Sequence, residues 1–219
     1  MKVRSRWPLR LVGLAAFALG GLAPLPLSSS LGRPVEGQIL DPAVEEIVRF
    51  LEWRAPEGIE PGLRRPIAAA VVEEARDAGL DPLYVLAVME VESDFTADAV
   101  SHRNARGLMQ VRSVVVKELE RLDAAPDPAD EPAVVVDVRH GVRYLATLER
   151  KYRTRERALA AWNAGPGAVD RALSEEGEIP ERWLSFARKV LREHRRLRAR
   201  LVPSMAPTLA TVGAAADGG

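Results

Sequence analysis

One segment constrains the fold more than any other. Asp81-Pro82 is a typical helix start, because aspartate caps a first turn and proline is tolerated at the first helical position. The segment that follows, to about Ser93, is apolar almost all round. A helix that lacks a polar face belongs in the interior of a domain. We therefore expect residues 82–93 to form a buried helix.

The rest of the sequence predicts more helices. Ala, Leu, Arg and Glu dominate the composition and favour helix, and no segment shows the alternation typical of a strand. A second Asp-Pro start at Asp41 opens a helix to about Arg54, and Gly79 is a plausible residue beyond the end of another. The predicted helices cover residues 41–54, 65–78, 82–93, 105–122, 135–152, 154–163, 169–173 and 181–201. The predicted fold class is all-α.

Composition excludes several kinds of chemistry. The chain has no cysteine, which excludes disulfides, thiol nucleophiles and cysteine-bound metals. Its 31 Lys+Arg and 31 Asp+Glu give a net charge of +0, so no global field attracts nucleic acid. The three histidines, His102, His140 and His194, lack metal-ligand spacing. We expect no metal, no cofactor and no nucleic-acid partner.

The N-terminus predicts export. Basic residues up to Arg10 precede an apolar run over residues 11–22 and then a Pro/Ser stretch, the order found in secretory signals. The run is short for a membrane span. An uncleaved signal anchor stays the alternative, with membrane contact only through this segment, and a buried cytoplasmic helix is the third interpretation. The predicted divisions are a signal peptide or anchor (1–27), a linker (28–40), an N-terminal helical extension (41–66), a main domain (67–201) and a disordered tail (202–219).

Glu92 is the first candidate catalytic residue. It lies at the C-terminal end of the predicted buried helix, above Val88 and Val85 on one stripe. Burial and the negative end of the helix both disfavour its charged form, so its pKa should be raised, as a general acid requires. The alternative is a helix-end glutamate paired with an arginine such as Arg106.

Glu90 is the obvious rival to Glu92. Residues two apart on a helix point to roughly opposite sides, so the two carboxylates cannot flank one bond. We expect Glu90 to be solvated or ion-paired. Asp94 and Asp98 follow the helix, and their expected role is turn formation and capping.

Two motifs in the expected order give a family resemblance. The first comprises Glu92-Ser93-Asp94-Phe95, Ala99-Val100-Ser101 and Ala105-Arg106-Gly107-Leu108-Met109-Gln110. The second is Ala161-Trp162-Asn163-Ala164-Gly165, with Gly141-x-x-Tyr144-Leu145 between the two. Over about residues 67–191 the chain resembles the SLT-type (soluble) lytic transglycosylases, which belong to the superfamily that also contains the goose-type lysozymes. The resemblance implies a lysozyme-like helical domain with a substrate groove.

The resemblance also implies a reaction. Glu92 would protonate the β-1,4 bond between N-acetylmuramic acid and N-acetylglucosamine in peptidoglycan, then take the proton of the muramyl C6 hydroxyl to leave a 1,6-anhydromuramyl end. The alternatives are a goose-type-lysozyme-like hydrolase, which needs a second acid such as Asp94 or Asp98, and a catalytically weak peptidoglycan-binding scaffold.

Further residues are assigned to substrate binding by the motifs. The expected binding residues are Ser101, Gly107, Met109, Gln110, Tyr144, Trp162 and Asn163. For most of them a structural role is a serious alternative: Met109 and Trp162 could be core residues, and Gly107 a packing glycine. Three residues depart from the family pattern, namely Asn104 for glycine, Asp137 for asparagine and Trp162 for tyrosine, which removes a hydroxyl that the family places in the active site.

The expected partners are peptidoglycan glycan strands in the periplasm or cell envelope. Protein partners in the cell wall or envelope are left open. The last predicted helix is rich in arginine from Arg182 to Arg200, which favours a solvated face over a nucleic-acid or membrane contact.

Overall fold

A computed structural model describes residues 41–101, 104–122 and 130–214, with side chains to residue 202. The predicted signal and linker lie outside these residues. The described ranges contain eight helices and no strand: α1 (Pro42–Arg54), α2 (Pro61–Ala78), α3 (Pro82–Ser93), α4 (Ser113–Arg121), α5 (Ala133–Tyr152), α6 (Arg155–Ala164), α7 (Pro166–Glu175) and α8 (Glu181–Ala214). The all-α prediction is confirmed. None of the described helices is long and apolar enough to cross a membrane.

Helix α3 lies in the centre of the core, as its sequence predicts. All seven of its residues from 83 to 89 are buried. Its N-cap Asp81 accepts a hydrogen bond from the Leu83 amide at 2.9 Å. The same carboxylate contacts α8 through His194 Nε2 at 2.8 Å and Arg198 at 2.9 Å. One side chain thus starts the buried helix and fastens it to the last one.

Helix α1, which lies within the predicted N-terminal helical extension, packs into the same core. Ile47, Phe50 and Leu51 are buried in one hydrophobic cluster with residues of α2, α3 and α8. At its C-terminal end Arg54 donates to Glu90 Oε1 from Nε at 3.0 Å and from a terminal nitrogen at 2.7 Å. The guanidinium also contacts Asp94. The first helix therefore shields the C-terminal end of α3.

A second, smaller cluster joins α5, α6 and α7. Leu148 and Tyr152 of α5 pack with Ala161 of α6 and Val169 of α7. The Tyr152 hydroxyl donates to the Asp170 carboxylate at 2.8 Å, and the Thr154 hydroxyl caps α6. This cluster holds α6 against α5 and so fixes the second motif relative to the Gly141–Leu145 segment of α5.

Most predicted helix boundaries lie within four residues of the observed ones, but two differ by more. Residues 105–112 are not helical: Arg106 forms antiparallel bridges with Val100 and Val111, and Gly107 and Gln110 have positive φ, which right-handed helix excludes. Helix α4 starts only at Ser113.

Helix α8 continues past residue 201 to Ala214, where a disordered tail is expected. The added segment contains three alanines, one leucine and one methionine, which favour helix. The two prolines within it each lack one backbone donor but do not end the helix.

Candidate active site

The Glu92 carboxylate lies at the C-terminal end of α3, where the chain turns sharply. Asp94 ends the helix in the left-handed conformation with φ 52°, and buried Phe95 follows with φ 59°. Glu92 is largely buried, and Oε1 accepts a hydrogen bond of 2.6 Å from the Trp162 indole nitrogen. Burial raises the pKa of Glu92 to about 7, against the opposing effect of the Trp162 hydrogen bond. A carboxyl group with this pKa holds and releases a proton near neutral pH.

The two carboxylates that flank Glu92 in the sequence form ion pairs with an arginine. Glu90 and Asp94 both pair with Arg54, on the α1 side of the helix end. Of the two roles expected for Glu90, solvated or ion-paired, the structure shows the ion pair, and the capping role of Asp94 is confirmed. Glu92 accepts its hydrogen bond from an indole, which contradicts the alternative interpretation of a pair with an arginine such as Arg106.

Glu92 opens into a groove of about 670 Å³. Its walls come from Ser101, the segment 105–112, α4, α5 and the corner between α6 and α7. The residues that line it are Glu92, Ser101, Ala105, Gln110, Val111, Arg112, Val114, Val115, Glu118, Tyr144, Thr147, Leu148, Lys151, Trp162, Asn163, Gly165 and Pro166. The surface mixes apolar side chains with amides, hydroxyls and charges, a composition suited to a sugar, which has apolar C–H faces and polar edges.

Five of the seven predicted binding residues line this groove: Ser101, Gln110, Tyr144, Trp162 and Asn163. Met109 does not. It is fully buried and packs on α5 at Gly141, where an added Cβ would lie 2.5 Å from the methionine sulfur. Gly107 does not line it either. Its φ of +72° and the Asp137 carboxylate, 3.3 Å from where its Cβ would stand, explain the glycine instead.

The loop from Ala99 to Val111 is held by its own polar groups. The Gln110 amide nitrogen donates to the carbonyls of Ala99 at 3.1 Å and Gly107 at 3.0 Å. Ser101 Oγ accepts from the Ala105 amide at 3.1 Å. Both side-chain amide hydrogens of Gln110 are therefore donated to backbone carbonyls of the loop. The sequence did not predict this structural role.

Trp162 connects the two motifs. Its ring packs against Tyr144 with the centroids 5.7 Å apart, and it touches both hydrophobic clusters. The family resemblance implies that tryptophan in place of tyrosine keeps a stacking ring here but removes a hydroxyl from the site. The structure shows that the indole N–H nevertheless supplies a polar group, directed at Glu92. No helical or strand periodicity relates residues 70 positions apart, so no signal in the sequence gives this contact.

Among the residues that the structure describes, Glu118 on α4 is the other carboxylate that lines the groove. Arg121 donates to both of its oxygens, at 2.7 and 2.9 Å, and this hydrogen bonding lowers its pKa. Sequence reasoning named Asp94 and Asp98 as candidates for a second acid, and neither lines the groove. An amphipathic helix such as α4 carries several exposed charges, and its sequence does not single out Glu118.

Within the described ranges, no three His, Asp or Glu side chains are grouped so that they could hold a metal ion.

Comparison with known proteins gives a consistent set of relatives. The chain is 35% identical over 141 residues to membrane-bound lytic murein transglycosylase C of Actinobacillus pleuropneumoniae, covering 58% of this chain and 36% of that protein. It is 32% identical over 120 residues to the protein of the same name from Salmonella typhimurium, covering 48% and 33%. The chain thus spans about a third of the length of these relatives.

Solved structures show the same fold. An inactive mutant of lytic transglycosylase Slt from Pseudomonas aeruginosa matches with a TM-score of 0.53 and 27% identity, over 70% of this chain and 27% of that one. The 70 kDa soluble lytic transglycosylase Slt70 of Escherichia coli matches with a TM-score of 0.54 over 70% and 29%; at 19% identity it supports the fold alone.

The family comparison covers both motifs. The model of the transglycosylase SLT domain matches residues 70–184, more than half of the 219-residue chain. This range contains Glu92, Trp162 and the whole lining of the groove. The chain therefore belongs to the transglycosylase SLT domain family.

Proposed function

We propose that the protein is a peptidoglycan lytic transglycosylase that cleaves the β-1,4 bond between N-acetylmuramic acid and N-acetylglucosamine. The observation that carries the proposal is a single largely buried carboxyl group, Glu92, with a pKa of about 7, at the edge of an open groove. A group half-protonated near neutral pH can serve as acid in one step and as base in the next. Membership of the family and the names of the relatives support the same reaction.

The proposed reaction uses Glu92 twice. Its protonated form donates to the glycosidic oxygen, which leaves with N-acetylglucosamine as a hydroxyl group. The muramyl C6 hydroxyl then bonds to C1 of the same sugar and gives its proton to the ionised carboxylate. Glu92 ends protonated, no water is consumed, and the product carries a 1,6-anhydro ring. An internal nucleophile has a high effective concentration, which removes the need for a second carboxylate.

Trp162, Tyr144 and Asn163 are proposed to bind the glycan. The aromatic rings lie side by side in the groove and offer apolar surface to sugar C–H groups. Asn163 is exposed at the groove and offers an amide to N-acetyl or hydroxyl groups. The proposed location is the cell envelope, as the names of the membrane-bound relatives suggest.

One observation favours a second candidate, a hydrolase. Inverting glycosidases hold a water with a second carboxylate. Glu118 lines the groove, and its lowered pKa keeps it ionised, as a base for water must be. Its bidentate pairing with Arg121 opposes this role, because both oxygens are already engaged.

Product analysis separates the two reactions. Purified sacculi are digested, and the released muropeptides are weighed by mass spectrometry. A transglycosylase yields anhydromuramyl ends that are lighter than the hydrolysis products by one water molecule. Reducing ends, together with loss of activity in Glu118→Gln, would establish the hydrolase. An intact groove that binds glycan without releasing any fragment would indicate a scaffold.

The assignment of Glu92 is tested with a matched pair of variants. Glu92→Gln should lower turnover by about 10²–10⁴-fold or more, as expected on removal of a general acid. Glu90→Gln makes the same chemical change two residues away, on the Arg54 side, and should retain most of the activity. Equal losses in both variants would contradict the assignment.

A further inference from the structure

The hydrogen bond between Trp162 and Glu92 has a direction that the atoms dictate. An indole nitrogen carries one hydrogen and no available lone pair, so it only donates. The 2.6 Å contact therefore requires Glu92 Oε1 to accept whether the carboxyl group is protonated or ionised. A protonated carboxyl group has one oxygen that carries hydrogen and one that does not.

We propose that Trp162 is a positioning residue that fixes the transferable proton of Glu92 on Oε2. The carbonyl oxygen of a protonated carboxyl group accepts a hydrogen bond better than its hydroxyl oxygen does, so the indole donor favours Oε1 as the carbonyl and Oε2 as the hydroxyl. The proton leaves from Oε2 and returns to Oε2, while the bond to Oε1 is kept throughout. A phenolic hydroxyl at position 162 would not impose this choice, because a hydroxyl donates or accepts and would suit either oxygen.

The indole is held firmly enough for this task. Its ring is partly buried, contacts both hydrophobic clusters and packs on Tyr144 with a centroid distance of 5.7 Å. Turning the N–H away from Glu92 would break these contacts and leave the carboxylate, when ionised, without its donor. Packing therefore sets the direction of the hydrogen bond.

The chemical consequence rests on the proposed function, but the test does not. In the whole protein, ¹⁵N-labelled tryptophan and ¹³C-carboxyl-labelled glutamate are followed by NMR from pH 4 to 9. The Trp162 indole hydrogen should move downfield as Glu92 ionises, with the same midpoint near pH 7. Trp162→Phe identifies the indole signal by its loss, and Glu92→Gln should abolish its titration. The Trp183 indole, which lies next to Arg182 rather than Glu92, is the internal control.

The second measurement is the titration of Glu92 itself. Trp162→Phe keeps an aromatic ring but removes the donor, so the Glu92 midpoint should rise by about one pH unit. Trp162→Tyr should restore part of this difference, because a hydroxyl can also donate. The wild-type indole titration still decides the question if the Phe variant does not fold.

Two results would overturn the proposal: an indole signal that does not respond to pH, or equal Glu92 midpoints in the wild-type and Phe proteins. Neither depends on which products the enzyme releases. Anhydro products together with a Trp162 indole signal that does not change with pH would reject the positioning role alone. A coupled titration with no lytic activity would reject the proposed function alone.

Discussion

Replacing Glu92 by glutamine should make the folded protein more stable, although it removes the proposed catalytic acid. Burial raises the pKa of this carboxyl group from an ordinary value of 4.5 to about 7. One pH unit corresponds to about 1.4 kcal/mol, so the ionised group destabilises the folded state by about 3 kcal/mol. Glutamine is similar in shape, carries no charge and can still accept the Trp162 hydrogen bond.

The gain should depend on pH with a defined sign. The folded pKa lies above the unfolded one, so the glutamate costs nothing below about pH 4.5, where both states are protonated. Its cost grows between pH 4.5 and 7 and is constant above. The difference in free energy of unfolding between Glu92→Gln and wild type should therefore rise from near zero at pH 4 to about 3 kcal/mol at pH 8.

Urea denaturation followed by circular dichroism at pH 4, 6 and 8 measures this difference. Glu118→Gln is the matched control, because it makes the same change in the same groove on a carboxylate whose pKa is lowered by Arg121. That variant should gain no stability as pH rises. If the free energies of unfolding of Glu92→Gln and wild type differ by the same amount at all three pH values, the site does not destabilise the ionised form of Glu92.

Three further predictions concern the site and its support. If Glu92 acts as the acid, kcat/KM on soluble glycan strands should fall about tenfold per pH unit above about pH 7, where its protonated fraction declines; a flat profile to pH 9 would contradict this role. Gly141→Ala should lower the free energy of unfolding by about 1–3 kcal/mol, because its Cβ would stand 2.5 Å from the Met109 sulfur. The control is Gly167→Ala, whose Cβ meets nothing within 4 Å and which should leave the free energy of unfolding unchanged in the same urea titration. Asp81→Ala removes the cap of α3 together with two contacts to α8 and should lower the thermal midpoint, with a cost of about 1–2 kcal/mol for the cap alone; an unchanged midpoint would show that the cap carries no stability.

Local signals in the sequence predicted much of the helical framework. Asp41 and Asp81 each cap a helix that starts with proline, and Gly79 ends α2 in the left-handed conformation with φ 68°. The apolar circumference of α3 placed it in the core. These features depend on residues within one or two turns, where propensity and capping act directly.

The sequence predicts helix for the loop before α4, because the contacts that stabilise the loop come from residues distant in the sequence and are not visible in its local pattern. Residues 105–112 include good helix formers, but Arg106 pairs with Val100 and Val111, and Met109 is drawn into a notch at Gly141. Tertiary contacts of this kind override helix propensity. The family motif located the same loop in the groove, although periodicity did not.

The sequence predicts most of the residues of the candidate site but not the contacts between them. The position of Glu92 on a buried helix was enough to predict the direction of its pKa. The donor from Trp162 and the presence of Glu118 in the groove depend on how α4 and α6 pack against α5. Packing across such sequence distances leaves no mark in a single sequence.

The contact between α1 and the end of α3 decides where this chain can be cut. The family match starts at residue 70, and a fragment with that boundary would lack α1 altogether. It would bare the apolar surface that Ile47 and Leu51 cover, and it would leave Glu90 and Asp94 without the Arg54 guanidinium. Two unneutralised carboxylates next to Glu92 would raise its proton affinity further. A titration or inhibitor screen run on such a fragment would report on a Glu92 with an altered pKa. The smallest fragment that preserves the surroundings of Glu92 therefore starts at Asp41.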